Sequence, residues 1–433
     1  MQVSRRLAIA SGLAIGALPT ANARAQTSWP ADFLWGTATA AHQIEGNNVN
    51  SDYWVLETIP ATNFVDRSGD TCDSWNRWRE DVAIIQALGL TAYRFSIEWA
   101  RVEPEDGMIS HAALDHYRQM CVACREAGIE PIVTLHHFSS PRWFAALGGW
   151  EADEAPAKFA RYCGIVAAAL GEHLAYVCTM NEPNAQVTSY VMRDDAPFPN
   201  EDEVIRQATK AVGSDRWGAY FMGNSFAVRD GCLRAHALAT EAIKTAAPHV
   251  KTGLTLALQD LKPGPGGEAR YRRIFDNARA PFYAAASGDD FIGVQPYMRL
   301  IVGPDGYLPT PPGVIVNHSG RDASPDALTA VVREVRANCR APIMITENGI
   351  ETDDDTLRVR HINETLEQVQ ICLTEGLLLG YIHWSLLDNF EWRSGYGPRF
   401  GLYSVDRQTF VRTPKPAAGA YRAIVARARA NGA

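Results

Sequence analysis

No apolar run in this 433-residue chain is long enough to anchor it in a bilayer, which takes about 20 consecutive apolar residues. Positive charge is not in excess either. Lys and Arg number 41 against 49 Asp and Glu, for a net charge of −8 and a pI near 5.8. Nothing in that balance recommends nucleic acid or an anionic membrane as a partner. The P-G-P-G-G run at 263–267 lacks the lysine and the spacing of a phosphate loop, so it reads as a turn. Linkers and low-complexity tracts are missing as well. What remains is ordinary globular material, 46% hydrophobic and 21% charged, ample for a core. The length would allow two or three domains, or one large α/β barrel.

Cysteine is present, but not in a pattern that organises a site. Seven of the eight, Cys121, Cys124, Cys163, Cys178, Cys232, Cys339 and Cys372, sit among apolar residues in helical or strand patterns and read as small core residues. Cys121-x-x-Cys124 has no second pair at metal-site spacing. The first 25 residues read as a signal peptide. Arg5 and Arg6 precede L-A-I-A-S-G-L-A-I-G-A-L, and A-R-A at 23–25 is a small-residue cleavage signal, so the mature chain is expected to begin at Gln26. The S-R-R-L-A-I-A opening resembles a twin-arginine signal, with an ordinary signal and two chance arginines as the alternative. Export to the periplasm or medium is the expectation, and a route that carries folded protein fits thiols that stayed reduced.

From residue 33 short apolar runs alternate with amphipathic ones. Strands are expected at 33–41, 92–99, 131–138, 175–182, 252–259, 291–297, 342–348 and 379–385. Helical periodicity separates them, as at 80–90 and 327–338. Eight strand-helix units read as one closed parallel (β/α)₈ TIM barrel over residues 26–433, with a doubly wound open sheet as the rival. A barrel carries its site at the C-terminal strand ends. Those ends supply Gln43, Arg94, His136, His137, Asn181, Glu182, Tyr297, Glu347 and Trp384, a polar and aromatic set suited to hydroxyls and sugar faces. No carboxylate-rich pattern accompanies the two histidines, so neither a metal nor any other cofactor is expected.

Two of these ends stand out. T-M-N-E-P-N at 179–184 and I-T-E-N-G at 345–349 each finish an apolar, β-branched run on a glutamate flanked by asparagine. Two carboxyls, Glu182 and Glu347, are what glycoside hydrolysis needs, one to protonate the leaving oxygen and one to attack or to activate water. A single strand-end glutamate could equally be a rim salt bridge.

At five ordered stations the chain resembles family 1 glycoside hydrolases, the β-glucosidase family. They are F-L-W-G-T-A-T-A-A-H-Q-I-E-G, Y-R-F-S-I-E-W-A-R-V-E-P, T-M-N-E-P, I-T-E-N-G and H-W-S-L-L-D-N-F-E-W…G-Y-G-P-R-F-G-L, and the likeness runs from about 29 to 430. The resemblance implies that Glu182 is the general acid/base and Glu347 the nucleophile of a retaining hydrolysis. It implies that Arg94 and Tyr297 hydrogen-bond the nucleophile. Gln43, His137, Asn181, Glu391 and Trp392 would read sugar hydroxyls, and Trp384 would be the platform under the ring. Arg94 beside Glu347 would keep that carboxylate ionised, and Glu182 beside the anion would stay protonated. The implied substrate is an unphosphorylated β-glucoside, with β-galactosides or β-fucosides tolerated. A transglycosidase and a catalytically silent sugar-binding barrel are the alternatives, and the oligomeric state is left open.

The chain also departs from the family pattern. Phe138 replaces a tryptophan, Asn184 stands where an aromatic is common, and Gln295-Pro296-Tyr297 replaces N-Y-Y. These changes alter the walls around the sugar and bear on the choice of leaving group.

Overall fold

The computed structural model describes residues 29–376 and 378–432. The expected signal peptide at 1–25 and the start at Gln26 lie outside the described residues. Eight parallel strands form a closed barrel: β1 (Leu34–Ala38), β2 (Ala92–Ser96), β3 (Glu130–Thr134), β4 (Tyr176–Asn181), β5 (Lys251–Ala257), β6 (Ile292–Gln295), β7 (Ile343–Asn348) and β8 (Leu378–Trp384). Each pairs with its neighbours in sequence, and β8 closes on β1. The open-sheet rival is thereby ruled out.

The strands alternate between two buried layers, as a pleat requires. Along β2, Tyr93 and Phe95 join the large apolar layer shared with the helices, while Ala92 joins Ile132, Cys178, Met344 and Ile382 on the barrel axis. Arg94, also on the inner side, begins a polar layer above them. The helices are set by local chemistry. Ser110 caps Ala113 N, and Asn224 caps Phe226 N and Ala227 N at the start of helix Ser225–Ala246. In the acidic run at 353–355, Asp353 and Asp354 are exposed and Asp355 is half-buried. Asp354 caps Thr356 N and Leu357 N of helix Asp355–Thr374, and Asp355 pairs with Arg358.

Two irregularities in the barrel wall shape the strand ends. Cys178 pairs with Gly253 and Asn181 with Thr255, so β4 advances three residues while β5 advances two. Likewise Ile345 pairs with Tyr381 and Asn348 with His383, three residues on β7 against two on β8. Each strand therefore carries one extra residue just before its glutamate motif ends. Such a bulge breaks the alternation and re-aims the side chains beyond it.

All eight cysteines are free and buried, Cys72 included. Among the described residues no helix is long and apolar enough to cross a membrane.

Close backbone approach in the barrel wall gives a test of packing. A Cβ on Gly253 would lie 2.1 Å from the Phe291 carbonyl oxygen, and backbone cannot swing aside as a side chain can. Gly253→Ala is expected to lower stability by roughly 1–3 kcal/mol, read as a lower Tm or denaturant midpoint. An unchanged midpoint would contradict this packing.

Candidate active site

The C-terminal strand ends surround a cavity of about 260 Å³ lined by Gln43, His137, Asn181, Glu182, Tyr297, Glu347, Trp384, Glu391 and Trp392, among others. The polar layer beneath it is where the side chains are fixed. Arg94 reaches across the barrel. Its Nη1 donates to Glu347 Oε1 at 2.5 Å, its Nη2 to Asn181 Oδ1 at 2.7 Å and its Nε to Thr134 Oγ1 at 3.0 Å. Tyr297 donates its hydroxyl to the other oxygen, Glu347 Oε2, at 2.6 Å. Both oxygens of Glu347 are thus held by donors.

Asn181 is held from several sides as well. Its Oδ1 accepts from Arg94, from Gln295 Nε2 at 2.8 Å and from Thr255 Oγ1 at 3.1 Å. A guanidinium can only donate, so the carbonyl end of the amide must face it. The NH₂ end is left toward the cavity, 3.3 Å from His137 Nε2. Gln295, one of the departures noted in the sequence, therefore supports the amide from below.

Glu182 is placed by backbone. The β4 bulge turns the chain, and Glu182 takes φ +50°, a left-handed conformation uncommon outside glycine. Its N–H donates to Thr255 O at 2.7 Å and its carbonyl accepts from the Tyr220 hydroxyl at 2.6 Å. Those bonds hold the turn, and the carboxyl has no donor among the described residues. Gln43 follows β1 on the short helix Ala41–Ile44. Its Nε2 donates to Asn389 Oδ1 and Phe390 O at 3.0 and 2.9 Å, which leaves its buried Oε1 unpaired. Trp384 Nε1 donates to Glu391 Oε1 at 3.4 Å.

Charge separates the two central carboxyls. Burial and the nearby Glu347 push Glu182 up to about 8, with only a smaller opposing pull from Arg94. Burial also raises Glu347, more than Arg94 and the Tyr297 hydroxyl draw it back. The expected effect of Arg94, to keep this carboxylate ionised, is present but is opposed by burial, which removes the water that would solvate the charge. The pair still divides clearly. Among the described residues Glu347 has two donors and Glu182 has none, so the proton they compete for resides on Glu182. Burial, with Glu347, Glu351 and Asp388 close by, pushes Glu391 well above the carboxylate range. Burial, with Arg94 adding to it, holds His137 well below its usual value and therefore neutral.

Some of the sequence candidates lie elsewhere. Arg94 stands in mid-strand behind Glu347 and not at a strand end. His136 is turned from the cavity, with its Nε2 3.1 Å from Ser140 Oγ and its ring edge-on to Trp150. Both histidines follow β3 in irregular chain beyond Thr134, and of the two only His137 lines the cavity. Gln259, Met298, Asn317, Glu351 and Phe400 line the cavity and were not anticipated. Gln259 ends the fifth strand run, and the strand-end rule applied there would have found it. Its Oε1 accepts from Tyr297 N and Met298 N at 3.2 and 3.0 Å. Asn317 and Phe400 come from irregular loops, which carry no periodic signal. Among the described residues no group of three or more His, Cys, Asp or Glu is arranged to hold a metal ion.

Residues 25–279 and 312–430 match the family model for Glycosyl hydrolase family 1. The unmatched interval holds β6 and the Gln295-Pro296 departure. The chain is 31% identical to a β-glucosidase of Agrobacterium sp., over 92% of this chain and 95% of the relative. It is 28% identical to a bifunctional β-D-glucosidase/β-D-fucosidase of Bifidobacterium breve, over 92% and 98%. The crystal structure of β-glycosidase BGL167 superposes with a TM-score of 0.88 at 45% identity, covering 94% of this chain and 98% of that one. A β-glucosidase from Thermotoga maritima in complex with noeuromycin gives 0.80 at 27% identity, covering 94% and 99%.

The division of charge can be measured directly. In carboxyl-labelled protein followed by ¹³C NMR, Glu182 is expected to titrate at about 8. Glu347→Gln removes the neighbouring negative charge, which favoured the protonated form of Glu182, so the midpoint should fall. A wild-type midpoint near the ordinary glutamate value of about 4.3, or one unmoved by the substitution, would contradict this reading.

Proposed function

Since the chain belongs to glycosyl hydrolase family 1, we propose that it is an exported β-glucosidase that cleaves unphosphorylated β-glucosides with retention of configuration. The observation that carries the reading is the unequal treatment of two neighbouring carboxyls. Glu347 is held through both oxygens by Arg94 and Tyr297, and Glu182 keeps the proton.

Glu347 attacks the anomeric carbon, and Glu182 gives its proton to the departing glycosidic oxygen. A covalent glycosyl ester forms on Glu347. Esterification removes the negative charge that had raised Glu182, so its pKa drops as the leaving group departs. The resulting carboxylate takes a proton from water, which attacks the ester and releases the sugar. One electrostatic coupling thus sets Glu182 as acid in the first step and as base in the second. Tyr297 stays protonated, because burial and the adjacent Glu347 push its hydroxyl well above its usual value, and it remains a donor throughout.

The sugar itself has matching groups. Trp384 offers an aromatic face to the C–H face of a pyranose. The unpaired Gln43 Oε1, the Asn181 NH₂ and the Glu391 carboxyl are polar atoms for its hydroxyls. With its pKa raised, Glu391 can donate as well as accept. An axial 4-hydroxyl is compatible with that freedom, so β-galactosides and β-fucosides are included in the proposed range. Export is supported by the N-terminal sequence alone, and the free buried thiols are consistent with a protein exported already folded.

Glu347→Ala should lower turnover by several orders of magnitude with the fold intact. Added formate or azide should then restore part of the activity by entering the vacated space, giving product of inverted configuration. Near-normal hydrolysis by the variant would refute the nucleophile assignment.

Glu391 lies among Glu347, Glu351 and Asp388. Arg393 is exposed, and Arg399 faces Asp353 at 3.4 Å. A 6-phosphate would bring a dianion into that neighbourhood with no lysine to meet it. An aryl β-glucoside is therefore expected to be cleaved far faster than its 6-phosphate in a side-by-side assay. The reverse order would overturn this substrate class.

A further inference from the structure

Trp392 lines the sugar cavity, yet no strand or long helix carries it. It stands at φ +54° on the turn Trp392–Ser394, a left-handed conformation that a bulky residue keeps only where its surroundings fix it. Two aromatic side chains lie against its indole. The ring of His42 is nearly parallel to it, with an interplanar angle of 4° and centroids 5.6 Å apart. That of Tyr53 is tilted by 58° at 4.6 Å. His42 directly precedes Gln43 on the short helix Ala41–Ile44. One helical turn therefore sends Gln43 to the Phe390 carbonyl and His42 to the Trp392 ring.

His42 is enclosed and tethered. Its Nε2 lies 2.8 Å from Glu57 Oε1, and the two side chains are 0% and 1% exposed. Ser68 N and Oγ donate to the other oxygen, Glu57 Oε2, at 2.8 and 2.7 Å. Glu57 thus accepts on both oxygens, which places the imidazole hydrogen on His42 Nε2. The Asn48 amide meets the ring at Nδ1, at 3.0 Å. The ring cannot turn without giving up bonds on both edges. The Ser68 carbonyl accepts from the Tyr396 hydroxyl, and Val65 N donates at 3.0 Å to the carbonyl of Arg393, the residue after Trp392. His42, Glu57, Ser68, Tyr396 and Trp392 therefore close a loop of contacts, and of these five only Trp392 lines the sugar cavity.

Desolvating such a pair offsets much of what its hydrogen bond gains, so stability alone gives a weak reason for it. Direction is a better one. Packing between ring faces lets an indole slide, whereas a ring bonded at both edges offers it one fixed plane. An indole N–H must also point within a narrow range of angles to bond a hydroxyl. Building on the β-glucosidase reading, in which Trp392 meets sugar hydroxyls, we propose that His42, oriented by Glu57, is a positioning residue that fixes the plane of Trp392 against the sugar and touches no substrate itself.

Glucose as a competitive inhibitor reports the sugar site with no leaving group present. Its Ki is expected to rise by about tenfold in His42→Ala, the scale of a lost aromatic contact together with a misdirected hydrogen bond. It should rise by about threefold in His42→Phe, which restores a ring but not its bond to Glu57. The kcat/KM for an aryl β-glucoside should fall in parallel. Val369→Ala, a core truncation on helix Asp355–Thr374, controls for lost stability and should leave the glucose Ki unchanged below its Tm. If His42→Ala does not fold, His42→Phe carries the test alone. A wild-type Ki in His42→Phe or in folded His42→Ala overturns the proposal, and so does an equal rise in Val369→Ala. If the wild-type protein neither cleaves the aryl β-glucoside nor is inhibited by glucose, it is the glucosidase reading that fails.

Discussion

Glu347 is a carboxylate held out of water by a guanidinium on one oxygen and a phenol on the other. The rest of the site depends on that arrangement. An isolated buried carboxylate would simply take up a proton. Arg94 and Tyr297 prevent this, and Arg94 can do so only because Asn181 and Thr134 occupy its remaining donors. Asn181 in turn is saturated at its oxygen by Thr255 and Gln295. The network fixes which end of the amide faces the cavity. The anion it preserves is also what keeps the proton on Glu182, so the states of the two carboxyls are parts of one electrostatic problem.

The barrel makes that problem soluble through two local defects. β4 and β7 each carry one extra residue before their motifs end. With regular pleats, Asn181 would share the outward face of Thr179, and Glu347 that of Ile345. After the bulges, Asn181 and Glu347 meet above the axis, and Glu182 enters through its left-handed turn. That turn is held by bonds on the Glu182 backbone itself, from Glu182 N to Thr255 O and from the Tyr220 hydroxyl to the Glu182 carbonyl. The placement of the two acids thus rests on irregular pairing in the strands that deliver them.

This also marks what the sequence could reveal. The eight strands and the closed barrel are legible because hydrophobic periodicity is local and repeats along the chain. The two glutamates are legible because each ends such a run. The bulges are not, since they arise from pairing between strands far apart in sequence. His136 and His137 look equivalent as neighbours, and only the irregular course of the chain after β3 decides that His137 enters the cavity while His136 packs behind it. Glu391 shows the same limit for electrostatics. Its sequence promises a carboxylate, but Glu347, Glu351 and Asp388 come together with it only in the folded chain and favour the protonated form.

The sugar cavity shares Phe138, Glu182, Glu391 and Trp392 with a second lobe, and the two use polar atoms differently. On the sugar side, Gln43 Oε1 and the Asn181 amide are oriented by bonds at their other ends, so an unsatisfied polar atom faces the ligand. On the other side, the atoms of Thr62, Ser189 and Glu201 are bonded into the walls. Asn63, Arg393 and Ser394 also line the second lobe, and their side chains are exposed. The boundary between the lobes runs through Glu182 and Trp392, at the glycosidic oxygen.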